Sequence, residues 1–165
     1  MAIKKALLGM ILGAMLIPWS QAYAATYDVL KLAAEPSEMA ARAPMFVIKK
    51  FGNRYYAAGE HGHIVYSDDN GKTWVQAKVP VRSSLLDIDF VNDKQGWAVG
   101  HEGVILHSSD GGETWEKRSD EVYSGTGPHY YQEVSASPHN ADVVYQVAPS
   151  LYITLDGGKT VTAMD

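Results

Sequence analysis

Carboxylates and imidazoles are the side chains here whose types and spacing could do chemistry, and they fall in two kinds of place. Asp68, Asp69, Asp110 and Asp156 sit in glycine-rich turns. Two carboxyls facing each other across a cleft, roughly 5–10 Å apart, would suit hydrolysis of a glycosidic bond. Glu60-His61-Gly62-His63 and His101-Glu102 form the second group. Imidazole and carboxylate together can ligate a divalent metal or dock a partner's charged group. The chain has no Cys, which excludes thiol chemistry, disulfides and lipoprotein attachment.

Both groups belong to a repeat, and the repeat says what must position them. The stretch from Gly96 to Trp115 has the same grammar as the stretch from Tyr55 to Trp74, 41 positions earlier. Gly59, Gly62, Ile64, Ser67, Asp69, Gly71, Thr73 and Trp74 match Gly100, Gly103, Ile105, Ser108, Asp110, Gly112, Thr114 and Trp115. A weaker copy follows 46 positions on, with Thr154, Asp156, Gly158 and Thr160 in the same places and Val161 in the Trp position. A period in the low forties with four strand signals per unit is the mark of propeller blades. The expected fold is all-β: a partial β-propeller of about three four-stranded antiparallel blades, at 45–80, 81–120 and 130–165. Propellers need 4–8 blades to close, so the ring is expected to be incomplete. The fourth strand of the third blade is expected to be cut off at Asp165 within a few residues of starting, leaving the third strand as an unpaired edge and favouring truncation.

Within Ser-x-Asp-x-Gly-x-Thr-Trp each type has a mechanical role. Gly supplies positive φ, the Asp carboxylate accepts N–H bonds from its own turn, and Ser and Thr hydroxyls extend that network. Trp74 and Trp115 are expected to bury a face against a neighbouring blade. Turn closure therefore accounts for Asp69, Asp110 and Asp156 without catalysis. In a four-stranded blade the turn between strands three and four lies at the opposite end from the turn between two and three. Glu60, His61, His63, His101 and Glu102 thus share the other face, where with Arg82 they are candidates for partner binding. No catalytic residue, metal site or cofactor is expected.

The flanks carry different signals. Lys4, Lys5, the apolar run Ala6 to Ile17, Pro18 and Ala22-Tyr23-Ala24 have the form of a cleaved export signal over 1–24. The apolar run is short of the ~20 residues a spanning helix needs, so no transmembrane segment is expected in the mature chain. A periplasmic or extracellular location follows. Losing Lys4 and Lys5 leaves 12 basic against 19 acidic residues, a net charge of −7 (12 minus 19), which argues against nucleic acid as a partner. Residues 25–44 read as a lead-in, with a short helix at Ser37–Arg42 capped by Ser37. Ser119 to His129 reads as a linking loop.

The repeats resemble Asp boxes, or bacterial neuraminidase repeats, and residues 45 to 118 are most similar to the photosystem II stability/assembly factor family. Leu85-Leu86-Asp87-Ile88-Asp89-Phe90, Gly96 to Gly103 and Asp110 to Trp115 carry that resemblance. Residues 130 to 160, through Ser137-Pro138-His139-Asn140-Ala141-Asp142-Val143-Val144-Tyr145, are more similar to sortilin-type and glycosidase-type propellers. The resemblance implies an exported, non-catalytic scaffold that helps assemble or stabilise an envelope or membrane protein complex through a protein partner. Self-association through open blade edges is a further expectation. The alternative is a fragment of a sialidase- or xyloglucanase-like glycoside hydrolase. A sialidase would need three arginines on one face, whereas Arg42, Arg54, Arg82 and Arg118 fall at unrelated places in the repeat.

Overall fold

The computed structural model describes residues 28–119, 133–137, 139–140, 142–147 and 150–164. The stretch expected to be an export signal (1–24) and most of the expected linking loop lie outside the described residues.

Strand signals alternate with Gly, Asn and Asp turns, and the described residues fold as three four-stranded antiparallel sheets. The first holds β1 (Met45–Phe51), β2 (Arg54–Gly59), β3 (Ile64–Ser67) and β4 (Val75–Gln76). The second holds β5 (Leu85–Phe90), β6 (Gly96–Gly100), β7 (Ile105–Ser108) and β8 (Glu116–Ser119). The third holds β9 (Glu133–Ala136), β10 (Val144–Val147), β11 (Leu151–Thr154) and β12 (Thr162–Ala163). Strand order follows chain order in each sheet. β1 contacts β5 and β5 contacts β9, so the first strands converge and the blades fan outward.

Each blade has two faces, and registry assigns the residues. Tyr56, Ala58 and Ile64 look toward the next blade and pack with Ile88, Phe90, Ala98, Leu106 and Trp115 of the second. On the far side of that second blade, Trp97, Val99 and Ile105 pack with Val144 and Val161 of the third. The Asp-box turns wedge into these seams. The Tyr56 hydroxyl donates to the Gly111 carbonyl at 3.1 Å, and a Cβ on Gly112 would lie 2.8 Å from the Tyr56 ring. At the next seam a Cβ on Gly157, which matches Gly111 in the repeat, would lie 3.3 Å from the Trp97 ring. These glycines therefore answer to close packing as well as to positive φ.

Several expectations are corrected. Ser37–Arg42 is no full helix. It tightens to one 3₁₀ turn at Ala40–Arg42, and the Ser37 hydroxyl accepts the Met39 N–H ahead of it. The fourth strands begin after the Trp position, at Val75 and Glu116. The third blade has its fourth strand: β12 pairs with Tyr152 and Ile153, and its two residues equal the length of β4. Trp115 is 4% exposed and meets Phe90 edge-on. Trp74 is only half-buried, packed beside Ala40, Ala57 and Val65, because among the described residues no blade stands on that side.

The lead-in docks across the junction of the first two blades. Ala34 N–H donates to the Val79 carbonyl and Arg82 N–H to the Val29 carbonyl. The Gln76 amide clamps it from both sides, accepting from Ser37 N–H and donating to the Glu35 carbonyl.

Candidate functional site

The Asp-box carboxylates are fully engaged. Asp69 Oδ1 accepts the Ser67 hydroxyl and the Lys72 and Thr73 N–H groups, while Oδ2 accepts the Thr73 hydroxyl at 2.6 Å. Gly71 N–H closes the turn on Ser67 Oγ at 2.8 Å. Asp110 repeats the pattern with Ser108, Gly112, Glu113 and Thr114. Asp156 repeats it with Thr154, Gly158, Lys159 and Thr160, so Thr replaces Ser without loss of a bond. The Thr73 hydroxyl and N–H, with the Ser67 hydroxyl, lower the Asp69 pKa to about 2. The Thr160 hydroxyl and N–H do the same for Asp156, also to about 2. Burial raises Asp110, but its hydrogen bonds win and leave it below the ordinary value. Such groups remain anionic and immobile at neutral pH, unsuited to proton transfer.

Asp68, the carboxylate that turn closure left unexplained, is also occupied. Arg54 binds it with two bonds of 2.7 and 2.8 Å, reaches the Gly111 carbonyl at 3.0 Å and lies over the Tyr66 ring. Arg54 therefore fastens the first blade to the Asp box of the second. The bidentate pairing lowers the Asp68 pKa and raises that of Arg54.

The opposite end carries the residues singled out for recognition. Glu60–Gly62 and His101–Gly103 form twin 3₁₀ turns, with His61 and Glu102 in the left-handed region at φ 57° and 59°. Each turn is tied to the start of its first strand: Glu60 N–H donates to the Pro44 carbonyl and His101 N–H to the Ser84 carbonyl. A Cβ on Gly59 or Gly100 would come within 2.1 Å of those same carbonyl oxygens, which explains the recurrent Gly.

His61, His63 and Arg82 come together around an open depression of about 530 Å³, with Glu35, Pro36 and Ser37 completing its wall. Arg82 Nε donates to the Ala33 carbonyl at 2.8 Å, and Nη2 lies 3.6 Å from Glu35 Oε2. His63 is buried, and its Nδ1 has no hydrogen-bond partner among the described residues. Burial, then the charge of His61, depresses its pKa, so the ring is neutral at pH 7.

Glu60, His101 and Glu102 do not line this depression. Ser83 binds both the His101 carbonyl and the Glu102 carboxylate, which makes that turn structural. Among the described residues no three His, Asp or Glu side chains gather to hold a metal ion. Sequence reasoning missed Glu35, Pro36 and Ser37, because the lead-in has no repeat partner. The opposed charges of Glu35 and Arg82 were the one available signal. A cation, two imidazoles and a carboxylate on rigid turns can orient a polar or charged peptide group; they contain no nucleophile–base pair.

The family model described as Photosynthesis system II assembly factor YCF48 matches residues 73–165, and that of the BNR/Asp-box repeat matches 65–76. The first runs through residues 130 to 160, so the stretch expected to side with sortilin-type and glycosidase-type propellers is matched by the same family model as the rest. Comparison with curated proteins returned no match. Among solved structures, one described as YCF48 bound to D1 peptide is 18% identical with a TM-score of 0.59. YCF48 from Cyanidioschyzon merolae is 21% identical with a TM-score of 0.59. Each match covers 72% of this chain and 39% of the other, so the chain spans about two-fifths of those structures. At that identity they show the propeller fold. With more than half of its residues matched by the family model, this chain belongs to the photosystem II assembly factor YCF48 family of Asp-box propellers.

Proposed function

We propose that the chain is an exported, non-catalytic propeller scaffold that binds a polypeptide segment of an envelope or membrane complex and assists its assembly. The observation that carries this reading is the division of labour between the two ends. Every Asp-box carboxylate is consumed in closing a turn, while the opposite end presents His61, Arg82 and Glu35 around an open depression. Loops held on a rigid scaffold are the usual seat of recognition. Family membership supports an assembly role, and a relative solved with a D1 peptide supports a peptide as the ligand class. No helix of the described residues is long and apolar enough to cross a membrane, which fits a peripheral partner.

Photocrosslinking from position 61 in intact cells tests the reading. Adducts with a membrane protein are expected, lost in Arg82→Ala. Export is checked by N-terminal sequencing of the envelope-fraction chain, expected to start at Ala25. The glycoside hydrolase alternative would prevail if purified chain turned over sialyl or β-glucan substrates with activity that survives dilution.

A further inference from the structure

The two seams between blades share one plan, but the polar groups that fasten them differ in kind. Positions 41 apart correspond, so Arg54, Tyr66 and Ala77 of the first blade match Gln95, His107 and Arg118 of the second. At the first seam the Arg54 guanidinium grips Asp68 and the Gly111 carbonyl, and the Tyr56 hydroxyl donates to that same carbonyl. The bonds from Arg54 hold Asp68 below the ordinary carboxylate value, while burial raises Tyr56. Asp68 therefore stays anionic and Tyr56 neutral through mildly acid and neutral pH.

At the second seam an imidazole takes the place of the phenol. His107 is buried, with its ring centroid 4.4 Å from that of Trp97. The Asp-box turn of the third blade closes over this group. A Cβ on Gly157 would lie 3.3 Å from the Trp97 ring, and one on Gly158 would lie 3.2 Å from Arg118 Cβ. Arg118 Nη2 stands 3.0 Å from His107 Nδ1 and can only donate, so Nδ1 is the acceptor. The ring proton therefore sits on Nε2, which donates to Gln95 Oε1 at 2.6 Å. Closure of this seam thus fits one protonation state and one tautomer.

A second proton would find no acceptor there. Among the described residues, the charged groups that act on the ring are Arg118 and Glu116 from β8 and Asp142 from the turn before β10. Glu116 is largely exposed and lies 3.5 Å from Arg118 Nη2, and Asp142 is exposed as well. Arg118 Nε and Trp97 Nε1 are already buried donors without an acceptor among the described residues. A proton on Nδ1 would add a third, aim it at a guanidinium and abolish the bond from Arg118. Opening the seam lets water accept from all three, which relieves the cost of leaving buried donors unpaired. Burial, then the charge of Arg118, depresses the His107 pKa, in keeping with this geometry.

We propose that the seam between the second and third blades is a pH-sensitive joint, closed on neutral His107 and loosened when that ring takes up a proton at Nδ1. The first seam has Tyr66 at the matching place and stays closed. In the opened seam the ring regains the ordinary value of about 6.5. Opening therefore rises as the pH falls below that value, by at most about tenfold per pH unit.

The chain has no native Cys, so a single introduced thiol can report on each seam. Val144 lies in the second seam and Val104 in the core shared by the first two blades, both 1% exposed. The probe is a dipyridyl disulfide, with each rate normalised to that of the denatured chain at the same pH. Between pH 7.5 and 5.5 the Val144→Cys chain should react several-fold faster, up to about tenfold. The Val104→Cys chain should show no such rise. Adding His107→Gln to Val144→Cys should flatten the profile, and His107→Tyr, which copies the first blade, should do the same. Long-range proton–nitrogen NMR of the unsubstituted chain provides a second measurement. His107 should be the Nε2–H tautomer at pH 7.5, with a titration midpoint below about 6.5. A flat profile for Val144→Cys would overturn the proposal. So would an equal rise for Val104→Cys, a rise that persists in a folded His107 variant, or an Nδ1–H tautomer.

Discussion

The Trp-bearing faces of the first and second blades carry nearly the same residues and meet opposite fates. Ile88 and Trp115 are sealed by the preceding blade, while Ile48 and Trp74, at the matching places, remain open or half-covered. Burial in this fold is therefore a property of the neighbour, and a stability argument built on the repeat alone would count the same side chain twice at unequal value.

The sharpest way to break that comparison is the indole pair. Trp115→Ala should lose about 3–5 kcal/mol in urea unfolding, as expected for a buried aromatic, whereas Trp74→Ala should lose about 1–2 kcal/mol because half of its surface is already wet. Equal losses would mean that the first blade's outer face is covered in solution. Ile88→Ala should follow at roughly 2–4 kcal/mol, and Ile48→Ala, largely exposed, should stay within about 0.5 kcal/mol. Asp110→Ala should destabilise by about 1 kcal/mol, since the turn donors it leaves behind are largely exposed and can bond water.

Titration gives the smallest effects and separates the two ends of the blades. Asp69 and Asp156, with folded pKa values of about 2, contribute stability that is fully present above the unfolded value of about 3.9. It is lost as the pH falls through about 2. Carbon-13 NMR of the carboxyls should show those low midpoints. His63 acts in a different window. Its folded pKa lies below the ordinary 6.5, so the unfolded chain binds more protons just under that pH, and its contribution is full above 6.5 and declines below it. Thermal unfolding between pH 7 and 5 should show this slope, flattened in His63→Gln.

The repeat made the blades legible because Gly, Asp and Trp each answer to a local requirement. Positive φ at Gly71, Gly112 and Gly158, the Ser–Asp–Thr network and the two ends of the blade all follow from hairpin mechanics. What lay outside the repeat was not legible. The wall supplied by Glu35 and Ser37 is held by the Gln76 amide, 39 to 41 positions away, and by bonds from Ala34 and Arg82 that no repeat announces. Arg54 falls at an unremarkable strand start, and only the packing of two blades reveals that it fastens Asp68 to the next Asp box. The half-burial of Trp74 was not legible either, because the motif does not say which Trp has a blade packed behind it among the described residues.

The glycines packed under Tyr56 and Trp97 make the repeating unit carry both halves of its own joint, an aromatic on one face and a glycine turn at the next. Copying one whole period in frame would add a blade whose turn already fits the ring before it and whose ring already fits the turn after it. A shift of a few residues inside the turn would instead set a side chain against an aromatic face. Length can thus change by whole units, or between them as the 41- and 46-residue spacings show, and hardly at all within the turn itself.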